Sequence, residues 1–166
     1  MVRKAIYSDL DTVLKIYEKA RQYMADTGNP KQWSDSYPPK ELVMRDIEGG
    51  NLFVLEDSAD IYGVFAFFPK GDSIYDDIEG EWLNSLPHAA IHRVASAGTR
   101  RGVLAECIDF CLSQSNNLKI DTYTTNKIMQ HQLLKYGFVN CGTLKGDMKE
   151  FPVFQLYKDL SPQKAK

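Results

Sequence analysis

The spacing of hydrophobic and polar residues along the chain predicts seven strands and four helices. The predicted strands are the segments VRKAIY, NLFVLED, IYGVFAFFP, HAAIHRVAS, LKIDTYT, FVNCGTL and PVFQLYKDL. The predicted helices follow Ser8, Pro39 and Gly102, and the last one runs from Asn126 to Tyr136. Ser8 and Asp11 have the spacing of a capping box, which places the start of the first helix at Ser8.

The order of these elements indicates the α/β (α+β) class, in which helices pack on a mixed sheet. One segment, residues 70–87, is acidic and its hydrophobic residues follow neither a helical nor a strand periodicity, so it is predicted to be a loop. The third helix has a continuous apolar face that begins at Val103. Cys107 and Cys111 lie on that face, where a thiol behaves as a small hydrophobic group, and we expect no metal site.

Length and composition narrow the class of protein. At 166 residues the chain has the length of one domain, and we expect residues 1–160 to form it and residues 161–166 to be a solvated tail. A content of 43% hydrophobic and 25% charged residues argues against disorder and membrane spans. The net charge of -2 supplies no general basic field, so we expect no nucleic-acid partner. Three cysteines and no apolar leader favour the cytoplasm.

The segment IHRVASAGTRRGV joins a predicted strand to a helix through a turn that contains two glycines and two arginines. The first amides of a helix have no partner within it, and the positive end of the helix dipole lies there, so such a turn suits a phosphate group. Gly98 and Gly102 permit positive φ, and Arg100 and Arg101 add charge. The same residues are equally compatible with a plain tight turn that carries solvated arginines. No P-loop and no dinucleotide-binding fingerprint is present.

Three segments together resemble the GNAT superfamily of acyl-CoA-dependent N-acetyltransferases. They are HRVAS with TRRGVLAECIDFC, then LKIDTYTTN, and then MQHQLLKYGFVNCGTL. The resemblance implies a GNAT-like mixed, mostly antiparallel sheet of about seven strands with about four helices and splayed central strands. It also implies that the chain uses acetyl-CoA as co-substrate.

The resemblance implies a set of cofactor-binding residues. The strand that ends at Val94, Ala95 and Ser96 would part from its neighbour and bind the pantetheine arm, and Asn126 would contact the same arm. The following turn would hold the pyrophosphate through its main chain, at Thr99, Arg100, Arg101, Gly102, Val103 and Leu104. Three positions depart from the family pattern. Thr99 stands in an Arg or Gln position, and Leu104 stands in the position of the second small residue. Leu133 stands where many relatives have the tyrosine that protonates the leaving thiolate.

Acetyl transfer to an amine needs a base for the amine and an acid for the thiolate. His92 is the candidate base, because histidine side chains exchange protons near neutral pH. Strand alternation predicts that His92 and Val94 share a face and that Arg93 points to the other side. Glu81 could act as base directly or through water, and Tyr123 could replace the missing acid. Each of these three candidates is also compatible with a purely structural role.

Aromatic residues in two irregular segments are candidates for binding the acceptor amine. Trp33 and Tyr37 lie in the loop GNPKQWSDSYP, and Trp82 lies in the acidic segment. Aromatic rings attract a protonated amine through cation–π contact. The acidic run of Asp76, Asp77, Glu79 and Glu81 would favour a cationic acceptor, although such runs are often only solvated loops.

The sequence therefore predicts an N-acetyltransferase that moves an acetyl group from acetyl-CoA to a primary amine of a small molecule or peptide, by direct attack in a ternary complex. One alternative is a non-catalytic GNAT-fold module that binds acyl-CoA as a sensor or regulator. A second is a nucleotide-phosphate protein of another class. A homodimer through edge strands stays open, and we expect no membrane partner.

Overall fold

The computed structural model describes residues 1–160, so the predicted tail at 161–166 lies outside the described residues. The strands are β1 (Val2–Lys4), β2 (Leu52–Asp57), β3 (Asp60–Phe68), β4 (Ile78–Gly80), β5 (Ala89–Ser96), β6 (Asn117–Asp121), β7 (Val139–Leu144) and β8 (Pro152–Tyr157). The α-helices are α1 (Leu10–Asp26), α2 (Lys40–Glu48), α3 (Val103–Gln114) and α4 (Lys127–Lys135). Three short 3-10 helices span Tyr7–Asp9, Ser73–Tyr75 and Gly146–Met148.

The strands form one sheet in the order β1-β2-β3-β5-β6-β8-β7-β4. Neighbouring strands are antiparallel except for β5 and β6, which are parallel. The prediction of a mixed, mostly antiparallel sheet with four helices is therefore confirmed. The described residues contain eight strands rather than seven.

The additional strand, β4, lies in the acidic segment that was predicted to be a loop, and that prediction is wrong. β4 pairs with β7 at the sheet edge, and Gly80 stands opposite Gly142. The two main chains approach so closely that a Cβ on Gly80 would lie 2.0 Å from the carbonyl oxygen of Cys141. A strand of three residues is too short to show an alternating pattern, so nothing in the sequence revealed it.

The start of α1 also differs from the prediction. Ser8 does not cap the helix, because Tyr7–Asp9 forms a 3-10 turn and α1 begins at Leu10. The Asp9 carboxylate instead accepts the amide N–H of Ile6 at 2.9 Å and pairs with the Arg3 guanidinium at 2.7 Å. This ion pair lowers the pKa of Asp9.

The helices cover the two faces of the sheet. Helices α1 and α2 bury one cluster against β2 and β3, which includes Val13, Tyr17 and Val43. Helices α3 and α4 bury a larger cluster on the opposite face, which includes Cys107, Cys111 and Leu133. The predicted apolar face of α3 is thereby confirmed. All three cysteines are free and buried.

The pairing of β5 with β6 is incomplete. It runs from Ala89 opposite Leu118 to Ile91 opposite Ile120, whereas β5 continues to Ser96. The two central strands therefore part after Ile91, and this confirms the predicted splay.

A bulge interrupts β5 at the same point. Arg93 has φ of 52°, and the register between β3 and β5 shifts between Val64 and Ala66. A bulge breaks the alternation of side chains. His92 and Arg93 consequently contact the same Phe68 ring, each at 5.7 Å from its centroid, whereas Val94 packs on the α3 side of the sheet. The prediction that His92 shares a face with Val94 and opposes Arg93 is therefore wrong.

Leu133 and Leu134 provide a matched test of the core in α4. Leu133 is fully buried, whereas Leu134 is 54% exposed. We expect Leu133→Ala to lower the free energy of unfolding by about 2–5 kcal/mol, because it leaves a cavity. Leu134→Ala should change it by no more than about 0.5 kcal/mol. Urea denaturation measures both, and equal effects would contradict this packing of α4.

Candidate active site

Two cavities adjoin where β5 and β6 part. The larger, which we call the groove, has a volume of about 680 Å3 and lies between α1, the end of β5 and the first turns of α3 and α4. The smaller, which we call the pocket, has a volume of about 290 Å3 and lies between the loop after α1, β5 and the segment after β3. Four residues line both cavities: Met24, Val94, Asn126 and Met129.

The end of β5 forms part of the floor of the groove. Val94, Ala95 and Ser96 line it beyond the point where β5 stops pairing with β6. At the far end, Gly102 precedes α3 with φ of 84°, and no side chain caps the helix there. The first amides of α3 are thus open to the groove, and the positive φ predicted at Gly98 and Gly102 is observed.

The side chains of the glycine turn face away from the groove. Gly102, Val103 and Leu104 line it, but Thr99, Arg100 and Arg101 do not, and these three are exposed. The Arg100 guanidinium pairs with Asp57 and lies 4.5 Å from the centroid of the Tyr62 ring. The charge at the groove comes instead from Lys19 of α1, whose Nζ donates to the carbonyl oxygen of Ala97 at 3.0 Å. The pattern of α1 gave no signal for this lysine.

Asn126 lies at the junction of the two cavities and joins two elements. Its Oδ1 accepts the amide N–H of Met129 at 3.1 Å and so caps α4, while its Nδ2 donates to Oε1 of Gln32 at 2.7 Å. Oε1 of Gln32 also accepts a hydrogen bond from the buried Asn29 at 2.7 Å. The loop after α1 is therefore tied to the start of α4.

Three of the predicted catalytic and acceptor-binding residues meet in the pocket: His92, Trp33 and Tyr37. The Trp33 ring lies 5.9 Å from the Tyr37 ring and packs edge-on against the buried Tyr17 at 5.6 Å. These aromatic contacts hold the irregular loop against the sheet and give the pocket one apolar wall.

His92 lies between two carboxylates. Its Nε2 is 2.9 Å from Oδ2 of Asp72, at an angle too bent for a hydrogen bond, and its Nδ1 is 3.7 Å from Oδ1 of Asp121. Contact with His92 lowers the pKa of Asp72 to about 2, whereas burial raises the pKa of Asp121. The ring of Tyr75 stacks on His92 at 5.6 Å, and its hydroxyl donates to Oδ1 of Asp121 at 2.6 Å.

Sequence reasoning missed Asp72, Tyr75 and Asp121. They come from two elements besides the strand of His92, and no spacing along the chain connects them. The position of Asp121 at the end of β6, next to the parting of the strands, was the one available signal.

A buried ion pair stands behind the pocket. Nε and Nη2 of Arg93 lie 2.9 and 2.7 Å from Oδ2 of Asp46 in α2. Nη1 of Arg93 is 3.5 Å from the Tyr37 hydroxyl. The positive charge of Arg93 is thus balanced within the protein.

The remaining candidates lie outside the residues that line the two cavities. Glu81 is exposed beyond the end of β4. Trp82 supports the pocket from behind, since its indole N–H donates to the carbonyl oxygen of Tyr75 at 3.0 Å. Tyr123 is buried and its hydroxyl donates to Glu150, a contact that raises the pKa of Tyr123.

Within residues 1–160, no group of three or more His, Cys, Asp or Glu side chains is placed to hold a metal ion. No helix in this range is both long and apolar enough to cross a membrane.

Comparison with protein-family models and with curated protein sequences finds no match. Solved structures do match. A GNAT-family acetyltransferase from Streptococcus agalactiae 2603 is 28% identical, with a TM-score of 0.83 over 96% of this chain and 95% of that chain. A candidate acetyltransferase from Staphylococcus aureus Mu50 is 26% identical, with a TM-score of 0.71 over 95% of this chain and 98% of that chain.

A GNAT-family acetyltransferase from Listeria monocytogenes 4b F2365 is 19% identical and has a TM-score of 0.68 over 93% of this chain and 92% of that chain, which supports the fold. The splayed strands, the uncapped start of α3 and the capped start of α4 all lie in the segments that carried the sequence resemblance. These neighbours support acetyl transfer in general. The chain thus has the GNAT fold and is similar to acetyltransferases that share it.

Proposed function

We propose that the chain is an N-acetyltransferase in which the groove binds acetyl-CoA and the pocket binds the acceptor amine. One observation carries the proposal: the two cavities adjoin at Val94, three residues beyond the last residue of β5 that pairs with β6. A thioester that lies along the groove would reach the parting of the strands. An amine in the pocket would approach it there from the side of His92.

The groove offers main-chain groups to both polar parts of the cofactor. The free edge of Val94, Ala95 and Ser96 can pair with the amides of the pantetheine arm as an added strand does. The first turn of α3 can bind the pyrophosphate through its open amides. Arg100 can exchange Asp57 for a phosphate oxygen at small cost, because an exposed ion pair contributes little to stability.

His92 is the base that the geometry favours. It lines the pocket, whereas Glu81 and Tyr123 do not. In the proposed reaction His92 takes a proton from the amine as nitrogen attacks the thioester carbon, while the main-chain N–H of Val94 or Ala95 polarises the carbonyl. The C–S bond then breaks, and the proton on His92 neutralises the thiolate. Asp72 and Asp121 orient the imidazole.

The glycine at the start of α3 provides the first test. Asp and Asn are equal in size and both tolerate positive φ, so Gly102→Asp and Gly102→Asn differ mainly in charge. We expect Gly102→Asp to weaken acetyl-CoA binding at least about tenfold through repulsion of the pyrophosphate. Gly102→Asn should weaken it only a few-fold. Titration calorimetry measures both affinities.

Acetylpantetheine, which has no diphosphate, is the control ligand. Its affinity should be the same for both variants. If Gly102→Asp binds acetyl-CoA as tightly as the unaltered protein does, the start of α3 is not the pyrophosphate site. Binding of acetyl-CoA without release of CoA, across a broad panel of amines, would favour the sensor module over the enzyme.

His92 provides the second test. We expect His92→Gln to lower kcat about 10²–10⁴-fold and to flatten its dependence on pH, because the proton acceptor is lost. The affinity for acetyl-CoA should stay unchanged. His131→Gln, at an exposed position of α4 outside both cavities, is the matched control. CoA thiol release between pH 5 and 9 is the measurement. An unaltered pH profile in His92→Gln would remove His92 as the base.

A further inference from the structure

The lining of the pocket restricts which amine can occupy it. The restriction rests on the proposed function, since it concerns the acceptor of that reaction. It comes from three independent features of the pocket: its charge, its apolar walls and its volume.

Charge is the first feature. Asp72 and Asp121 both face the pocket, and His92 is the basic side chain between them. When the imidazole is neutral, as a base must be before it takes a proton, an ionised Asp72 alone gives this set net negative charge, and an ionised Asp121 adds to it. Asp72 is the more open of the two, with 35% of its side chain exposed, and its low pKa keeps it ionised at neutral pH. A cation is therefore favoured and an anion is repelled.

The positive charge of Arg93 does not change the sign of the net charge in the pocket. A free guanidinium in the pocket would bind a substrate carboxylate in bidentate fashion. In this structure, two of the three nitrogens of the Arg93 guanidinium face Asp46, and the third faces the Tyr37 hydroxyl. The pair with Asp46 is buried and neutral as a whole. Among the residues that the structure describes, the pocket thus has no uncompensated cation for a carboxylate.

Apolar groups form much of the remaining wall. Trp33, Ile74 and Phe151 line the pocket, and three methionines line it too: Met24, Met129 and Met148. Aromatic and thioether groups bind an apolar body, and aromatic rings also attract an ammonium group. The volume of about 290 Å3 lies at the lower end of the range for small-molecule sites.

We infer that the acceptor is a small primary amine with an aromatic or branched apolar body and no carboxylate, and that Asp72 excludes carboxylates. Amino acids with a free carboxylate are poor acceptors for this site. The apolar body lies against Trp33 and the methionines, and the amine lies beside His92.

Three amines with one carbon framework test this inference. Phenethylamine has no carboxyl group, phenylalanine has an ionised one, and phenylalaninamide has an uncharged group of the same size. In the unaltered protein we expect kcat/KM for phenylalanine to be at least about tenfold below that for phenylalaninamide, because like charges repel. Phenethylamine should be at least as good as phenylalaninamide.

Asp72→Asn and Asp76→Asn are a matched pair of variants. The first removes the charge in the pocket and keeps an oxygen to accept the Ile74 N–H. The second removes an equal charge from the same segment outside the pocket. Asp72→Asn should raise the ratio of kcat/KM for phenylalanine to kcat/KM for phenylalaninamide at least about fivefold. Asp76→Asn should leave that ratio within about twofold. The ratio cancels any change in kcat common to both amines.

Equal use of phenylalanine and phenylalaninamide by the unaltered protein would overturn the inference and leave the proposed function standing. An equal shift of the ratio in both variants would also overturn it, because the selectivity would then come from the field of the whole segment. If acetyl-CoA binds but no amine, peptide or polyamine releases CoA, the proposed function fails and the inference fails with it.

Discussion

The bulge at Arg93 is the constraint on which the rest of the site depends. It holds a non-glycine residue at positive φ in the middle of a sheet, a conformation that persists only where the surroundings support it. Two helices supply that support. The hydroxyl of the buried Tyr17 in α1 donates to the carbonyl oxygen of Arg93 at 3.1 Å. Asp46 in α2 binds the guanidinium of Arg93. Burial raises the pKa of Tyr17, so this donor keeps its proton. The helices that pack on this face therefore hold the bulge of β5 in place.

The parting of the strands creates the groove and also sets the chemistry of the pocket. Beyond Ile91 and Ile120 the two central strands no longer pair, so the side chains there face a cavity. The bulge places His92 and Arg93 on one face of the sheet, where Asp72 and Asp121 border the imidazole. One local distortion thus leaves a free main-chain edge on β5 and places the imidazole of His92 beside two carboxylates.

The features that the sequence predicted are those encoded within a few neighbouring residues. The turn before α3 and the cap of α4 depend on Gly102 and Asn126, and their effects are local. The group of Asp72, Tyr75, His92 and Asp121 depends instead on contacts between residues up to 49 positions apart, because the structure joins Asp72 and Asp121 through His92. Alternation also carried no sign of the bulge, since an extra residue in a strand looks like any other. Because a bulge breaks the alternation of side chains, Arg93 lies on the face opposite to the one predicted.

The two segments without any hydrophobic period turn out to form the walls of the pocket. Residues 27–39 present Trp33 and Tyr37, and residues 70–87 present Asp72 and Ile74. The second segment is anchored from beneath, because Nζ of the buried Lys119 lies 3.9 Å from the Trp82 ring centroid, and Trp82 in turn binds Tyr75. The regular elements thus form the groove proposed for the cofactor, and the irregular segments form the pocket proposed for the acceptor. On this proposal the acceptor could change through the irregular segments while the regular frame stays the same.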